Sequence, residues 1–157
     1  MNNPLLQSAW QAHQAGNLAE ATRLYREILR REPSQFDALY GLGVLQYRTG
    51  AFAEAERMLK VATEKNPRVP EAWYVLGGAL YRMGREAEAL GAFDRALGLK
   101  PNYPEASVNK GCILMGQRRH DEALFNFDAA LAANPNLAEA WNNRGNAMSE
   151  LGRYEEA

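Results

Sequence analysis

Apolar positions recur along the chain at helical spacing, and the whole pattern repeats. Trp73, Leu76, Gly77 and Leu80 mark one face of a first stretch, and Ala89, Phe93 and Ala96 mark a second. Each stretch is about 14 residues long, which predicts two amphipathic helices per unit. Pro33, Pro67, Pro101 and Pro135 stand 34 residues apart. The same step links Gly43, Gly77, Gly111 and Gly145, and also Ala21, Ala55, Ala89, Ala123 and Ala157. Tyr25, Leu59, Phe93 and Phe127 each follow four residues after one of those alanines. A period of this length is the mark of a stacked helical array, because one helix pair cannot bury its apolar face alone.

The punctuation agrees with the period. Gly16, Gly50, Gly84 and Gly152 fall between the two helices of a unit, where a left-handed residue ends a helix. Each periodic proline closes a second helix by forcing the residue before it out of helical geometry. Asn3 followed by Pro4 predicts the cap and first residue of the first helix. Small residues at Gly43, Gly77, Gly111 and Gly145 let neighbouring helices approach, while Phe93 and Phe127 fill the gaps. Stacking at constant geometry predicts a curved array with an inner surface.

These residues resemble the tetratricopeptide repeat (TPR), whose pattern is Trp-x2-Leu-Gly-x2-Tyr, then Ala-x3-Phe, then Pro. The third unit reads Trp73, Leu76, Gly77, Leu80, Ala89, Phe93, Pro101, with Leu80 for the Tyr and Tyr81 beside it. The second keeps Leu39, Leu42, Gly43, Ala55, Leu59 and Pro67; the first is degenerate, with Leu5, Ser8, Ala9 and Ala12 ahead of Ala21, Tyr25 and Pro33. The resemblance covers the whole chain and implies an all-α fold: a right-handed TPR solenoid of antiparallel helix pairs, about four and a half repeats. They would form a single array with boundaries at 2–35, 36–69, 70–103, 104–137 and a partial 138–157. Natural arrays finish with a polar capping helix, so a stop at Ala157 is expected to mark a fragment of a longer protein. The helix of Trp141 would then expose a face that invites self-association.

Departures from the pattern carry their own expectations. Lys110 and Arg144 replace the Leu that packs between helices, so their stems should lie along the core while their charges reach water. Arg118 replaces a turn glycine, at a cost of ~1 kcal/mol if it takes the left-handed geometry. A turn rebuilt around Gly116 would avoid that cost.

Composition narrows the function. Eighteen basic and nineteen acidic residues leave a net charge of -1, which attracts neither nucleic acid nor an anionic bilayer. No apolar run reaches membrane-spanning length and the start lacks a secretory leader, which predicts a cytoplasmic protein. Cys112 is the only cysteine, so no internal bridge or multi-Cys cage can form, and beside Gly111 on a first helix it reads as an inert small thiol, with a place on the inner surface as the alternative. His13 and His120 lie in different registers without companion ligands, so no metal or other cofactor is expected. Gly41-Leu42-Gly43 lies inside a helix with no strand before it, a packing notch and not a phosphate loop. Glu54 with Glu56, and Glu155 with Glu156, read as solvated outer-face charge. No catalytic residue emerges, and an enzyme is not expected.

The TPR resemblance implies that the first helix of each pair lines a concave groove that binds a protein or peptide. Carried over by register, the groove holds Trp10, Tyr40, Tyr47, Arg48, Tyr74, Tyr81 and Arg82. Tyr40 with Tyr74, and Tyr47 with Tyr81, form two ladders, the second pair each followed by arginine. Aromatic faces beside guanidiniums suit a peptide, offering apolar area and bidentate carboxylate contacts. Tyrosine is also common scaffold at these registers across the family. Asn109, Asn142, Asn143 and Asn146 continue the surface with amides that can clamp a peptide backbone. Of these Asn109 and Asn143 share a register and resemble part of the asparagine ladder in O-linked N-acetylglucosamine transferases. That weaker resemblance implies an alternative function, the substrate-recruiting arm of a larger bacterial glycosyltransferase. A third reading is a purely structural, self-assembling solenoid. The co-chaperone carboxylate clamp does not fit, because Leu6 and Trp10 stand where its lysine and asparagine belong.

Overall fold

The computed structural model describes residues 3–152, and among them the chain is helical with no strand. The helices are α1 (Pro4–Gln14), α2 (Leu18–Arg31), α3 (Phe36–Arg48), α4 (Phe52–Lys65), α5 (Pro70–Arg82), α6 (Glu86–Leu99), α7 (Pro104–Gly116), α8 (His120–Ala133) and α9 (Ala138–Glu150). They fall into two compact units, Met1–Arg85 with α1 to α5 and Glu86–Ala157 with α6 to α9. Glu155 and Glu156 lie outside the described residues.

Local chemistry sets the helix ends. Asn3 Oδ1 accepts from the backbone N–H of Leu5 at 3.1 Å and Leu6 at 3.3 Å, with Pro4 opening α1. Asn17 caps α2 through the Glu20 N–H at 3.2 Å, and Gln35 caps α3 through the Ala38 N–H at 2.6 Å. Gly16, Gly50, Gly84 and Gly152 all have φ between 72° and 82°, the left-handed turn that the spacing predicts. Arg118 adopts the same geometry, φ 60°. The turn is therefore not rebuilt around Gly116, which remains the last residue of α7. Arg118 donates its N–H to the Met115 carbonyl at 3.0 Å, as Gly84 does to Tyr81 at 2.9 Å, so the standard turn is kept and the backbone strain accepted.

In the first unit Ala9, Leu24, Tyr25, Ile28, Leu42 and Leu45 form a buried cluster. Missing side chains set how close its helices come. A Cβ at Gly41 would lie 2.5 Å from Tyr25 Cζ, and one at Gly43 would lie 2.6 Å from Leu59 Cγ. In the second unit Gly111 faces Phe127 in the same way, with 2.5 Å to Cε1, inside a cluster of Val108, Leu114, Ala130 and Met148. At Gly145 nothing among the described residues stands within 4 Å of an added Cβ, and the position sixteen residues on, whose counterpart Phe127 faces the equivalent Gly111, is not among them. The periodic tryptophans anchor the loops before them: Trp73 Nε1 donates to the Pro67 carbonyl at 2.9 Å and Trp141 Nε1 to that of Pro135 at 2.8 Å.

Lys110 and Arg144 do more than reach for water. Lys110 Nζ stands 2.6 Å from Asp94 Oδ1, and Arg144 Nε donates to Asp128 Oδ1 at 2.7 Å. Each pair joins a second helix to the first helix of the next repeat. The equivalent positions earlier hold Arg26 with Leu42 and Lys60 with Leu76. Where leucine becomes a cation, the base sixteen positions before it becomes an aspartate. Such half-exposed pairs contribute only about 0–1 kcal/mol, but a base retained at Asp94 or Asp128 would set like charges together. Glu56 also departs from the solvated reading: it is half-buried, 2.7 Å from Arg85 Nη1.

Candidate functional site

Helical spacing gathers aromatic side chains onto one side of the first unit. Leu6, Trp10 and His13 follow one another on α1 at intervals of four and three, Phe36, Tyr40 and Tyr47 on α3 at four and seven, and Tyr74 and Tyr81 on α5 at seven. Leu6, Trp10, Tyr25, Phe36, Asp37 and Tyr40 line a cavity of about 360 Å³. Phe36 and Tyr40 stack nearly parallel, with centroids 5.9 Å apart. Tyr25 comes from α2 and enters between α1 and α3 because Gly41 has no side chain to stop it. Trp10 remains 49% exposed, a large apolar surface for a ligand to cover.

His13 closes one side of this arrangement. Its ring stands edge-on to Trp10 at 5.8 Å and to Tyr25 at 6.2 Å. Arg48 Nη1 lies 3.5 Å from Nε2, and Nδ1 lies 3.5 Å from the Tyr25 hydroxyl. A guanidinium has no acceptor, so this geometry suits a neutral imidazole with Nε2 accepting and the proton on Nδ1. Burial, then the Arg48 charge, hold the His13 pKa below its ordinary value of 6.5. The unfolded chain therefore takes this proton first as pH falls. The stability involved is complete above about pH 6.5 and is lost as pH drops through the lower folded value. Urea midpoints measured from pH 8 to 5 should fall more steeply below 6.5 in the native chain than in His13→Gln; identical slopes would refute this linkage.

Farther along α3, Tyr47 packs against Phe52 at 5.7 Å, and the Arg82 guanidinium sits 4.7 Å over the Phe52 ring. Tyr47 also lies beneath Gly78 of α5, where a Cβ would come within 3.0 Å of its hydroxyl. Arg48 and Arg82 are exposed at the last turns of α3 and α5, and neither has a carboxylate partner among the described residues. Asp37 and Glu71 occupy the first turns of the same helices. The macrodipole favours acids at the start and bases at the end, so stable helices also give this face two oppositely charged ends. Burial and the Asp37 charge raise the Tyr25 pKa; burial and the Glu71 charge raise that of Tyr40.

Of the sequence-predicted residues, the structure brings Trp10 and Tyr40 into one cavity and links Tyr47 to Arg82 through Phe52. Tyr74 is half-buried on α5, while Tyr81 is exposed. The cavity adds Tyr25, Phe36 and Asp37, with His13 beside it. A second cavity of about 410 Å³ has an apolar floor of Leu29, Leu42 and Met58 and a rim including Arg26, Arg30 and Arg57.

The amides belong to the second unit. Asn142 and Asn146 are exposed on α9, and Asn109 is half-buried on α7. Asn143 turns its amide toward α7, Nδ2 donating to Cys112 Sγ at 3.3 Å. Burial and the Glu139 charge push the Cys112 thiol pKa up, which keeps it protonated and unreactive. Among the described residues no group of three His, Cys, Asp or Glu could hold a metal ion, and no helix is long and apolar enough to cross a membrane.

Helix pairs joined by left-handed turns, repeating at 34 residues around glycine notches, define an all-α helical-repeat scaffold of the kind that binds other proteins. Tetratricopeptide-repeat family profiles match residues 12–79, 70–103, 104–137 and 126–157. The chain belongs to the tetratricopeptide-repeat family, and its fold is that family's all-α solenoid type. None of the curated proteins searched matches the sequence. Among solved structures, MamA is similar at 24% identity and a TM-score of 0.90, covering 97% of this chain and 83% of that one. YrrB, described as a TPR protein with an unusual peptide-binding site, is similar at 27% identity and a TM-score of 0.86, with coverage of 98% and 79%. These matches lend nothing to the weaker resemblance to O-linked N-acetylglucosamine transferases.

Proposed function

We propose that this chain is a protein-interaction module that captures a peptide segment of a partner on the α1, α3 and α5 side of its first unit. The observation that carries the reading is the open cavity walled by Trp10, Tyr25, Phe36 and Tyr40. Rigid aromatic anchors around a preformed hollow supply binding area with little conformational entropy to lose. Arg48 and Arg82, unpaired with any carboxylate among the described residues, add guanidinium forks for acidic groups of the same peptide. The peptide-binding site described for YrrB supports the general mode. A balanced net charge favours protein over nucleic acid. The single half-buried cysteine suits a reducing cytoplasm.

Selection of peptides from a random display library on the full chain, followed by calorimetry, tests this. Trp10→Ala, and separately Tyr74→Ala with Arg82→Ala, should weaken the selected peptides roughly tenfold or more, with helical circular dichroism unchanged. Arg26→Ala with Arg57→Ala, at the second cavity, should bind normally. Undiminished binding by the folded Trp10→Ala and Tyr74→Ala/Arg82→Ala proteins would overturn the proposal.

A further inference from the structure

Resting on that reading, we propose that the Trp10 cavity receives the basic side chain, lysine or arginine, of the bound peptide. Aromatic rings present electron-rich faces that attract a cation, and a carboxylate at the wall completes the charge match. Trp10, Phe36 and Tyr40 supply the rings and Asp37 the carboxylate, all lining the same hollow. Gln35 Nε2 donates to Asp37 Oδ2 at 3.0 Å, which fixes the carboxylate and leaves Oδ1 for a ligand.

The alternatives are worse matched. An aliphatic side chain would fill the hollow but strip water from Asp37 without replacing it. An acidic side chain would meet Asp37 directly, and Glu71 adds the same sign, its charge being felt at Tyr40. Arg48 acts at one remove: its guanidinium lies 3.5 Å from His13 Nε2, beyond the ring that packs against Trp10 and Tyr25, whereas Asp37 lines the hollow itself. His13, the nearer base, is held neutral above pH 6.5 by burial and Arg48. The volume of about 360 Å³ is near the lower end of ligand pockets, roughly 300–1,000 Å³, which suits one long side chain. The opposite end of the face, with Arg48 and Arg82, is left for acidic groups.

The probes are n-butylammonium, n-butylguanidinium, neutral 1-butanol and the anion pentanoate, each titrated into the ¹⁵N-labelled full chain at pH 7.5. The readout is the Trp10 indole N–H, identified by its loss in Trp10→Phe. The two cations should shift it saturably and bind roughly fivefold to thirtyfold more tightly than butanol. Asp37→Asn, which keeps the shape and a hydrogen-bonding oxygen, should remove most of that advantage. Butanol binding as tightly as the cations, a preference for pentanoate, or no effect of Asp37→Asn would overturn the proposal.

A second arm separates this idea from the peptide-binding reading beneath it. In peptides selected on the full chain, replacing the basic residue by norleucine should weaken binding about tenfold in the native chain and far less in Asp37→Asn. Peptides that need Trp10 but tolerate norleucine would sink the cation pocket and leave peptide capture standing. Peptides indifferent to Trp10→Ala would sink both.

Discussion

Phe127→Ala should destabilise the chain by about 3–5 kcal/mol and lower its melting temperature by roughly 6–20 °C. The ring is fully buried, 0% exposed, at the centre of α8. Its neighbour across the helix interface is Gly111, and a Cβ there would already lie 2.5 Å from Cε1. The void left by alanine is therefore faced by a residue with no side chain to move into it. Rigid helices around such a hole cannot collapse, and the cost approaches the upper end for its class. Phe125, two residues earlier on the same helix, is 74% exposed, so Phe125→Ala should change stability by less than about 0.5 kcal/mol. Urea denaturation followed by circular dichroism distinguishes them; a Phe127→Ala loss below about 1 kcal/mol would contradict this account of the glycine notch.

What was legible in the sequence, and what was not, divides along one physical line. Features that depend on a residue and its near neighbours follow from the period: the left-handed glycines, the prolines two residues past each second helix, and the Asn3 cap. Arg118 fails as a sequence prediction because the turn bond to Met115 prevails over a strain of ~1 kcal/mol. Contacts across helices are harder to foresee, because they pair positions that the repeat does not label. The exchange of Arg26 and Leu42 for Asp94 and Lys110 was present as a charge reversal sixteen positions apart, yet Lys110 alone reads only as an exposed cation. The candidate site divides in the same way. Trp10 and Tyr40 follow from helical register. Tyr25 sits on a second helix and enters the cavity only because Gly41 permits it. Phe36 and Asp37, at the start of α3, look like helix-end chemistry until the cavity shows what they face. The spacing of Phe36 four residues before Tyr40 was the available signal.

Gly41→Ala joins that packing logic to function and should act against its helix propensity. In an exposed helix interior, glycine to alanine stabilises by about 0.5–1 kcal/mol. Gly91 in α6 meets this condition, with nothing within 4 Å of its added Cβ, and Gly91→Ala should gain about that much. At Gly41 the new methyl would lie 2.5 Å from Tyr25 Cζ, 2.7 Å from its hydroxyl oxygen and 2.8 Å from Cε1. Tyr25 is only 1% exposed and cannot swing into solvent. Either α2 and α3 separate, or the ring shifts into the cavity that it now walls. Overpacking of this kind costs about 1–3 kcal/mol, enough to reverse the sign of the propensity gain. A displaced Tyr25 ring also occupies volume meant for the ligand, so the selected peptides should bind roughly tenfold more weakly to the folded variant. Measured together, Gly91→Ala should raise the urea midpoint and Gly41→Ala lower it, and only Gly41→Ala should impair binding. Equal stability of the two variants would show that Tyr25 is not held by Gly41, and that the cavity wall is softer than its burial implies.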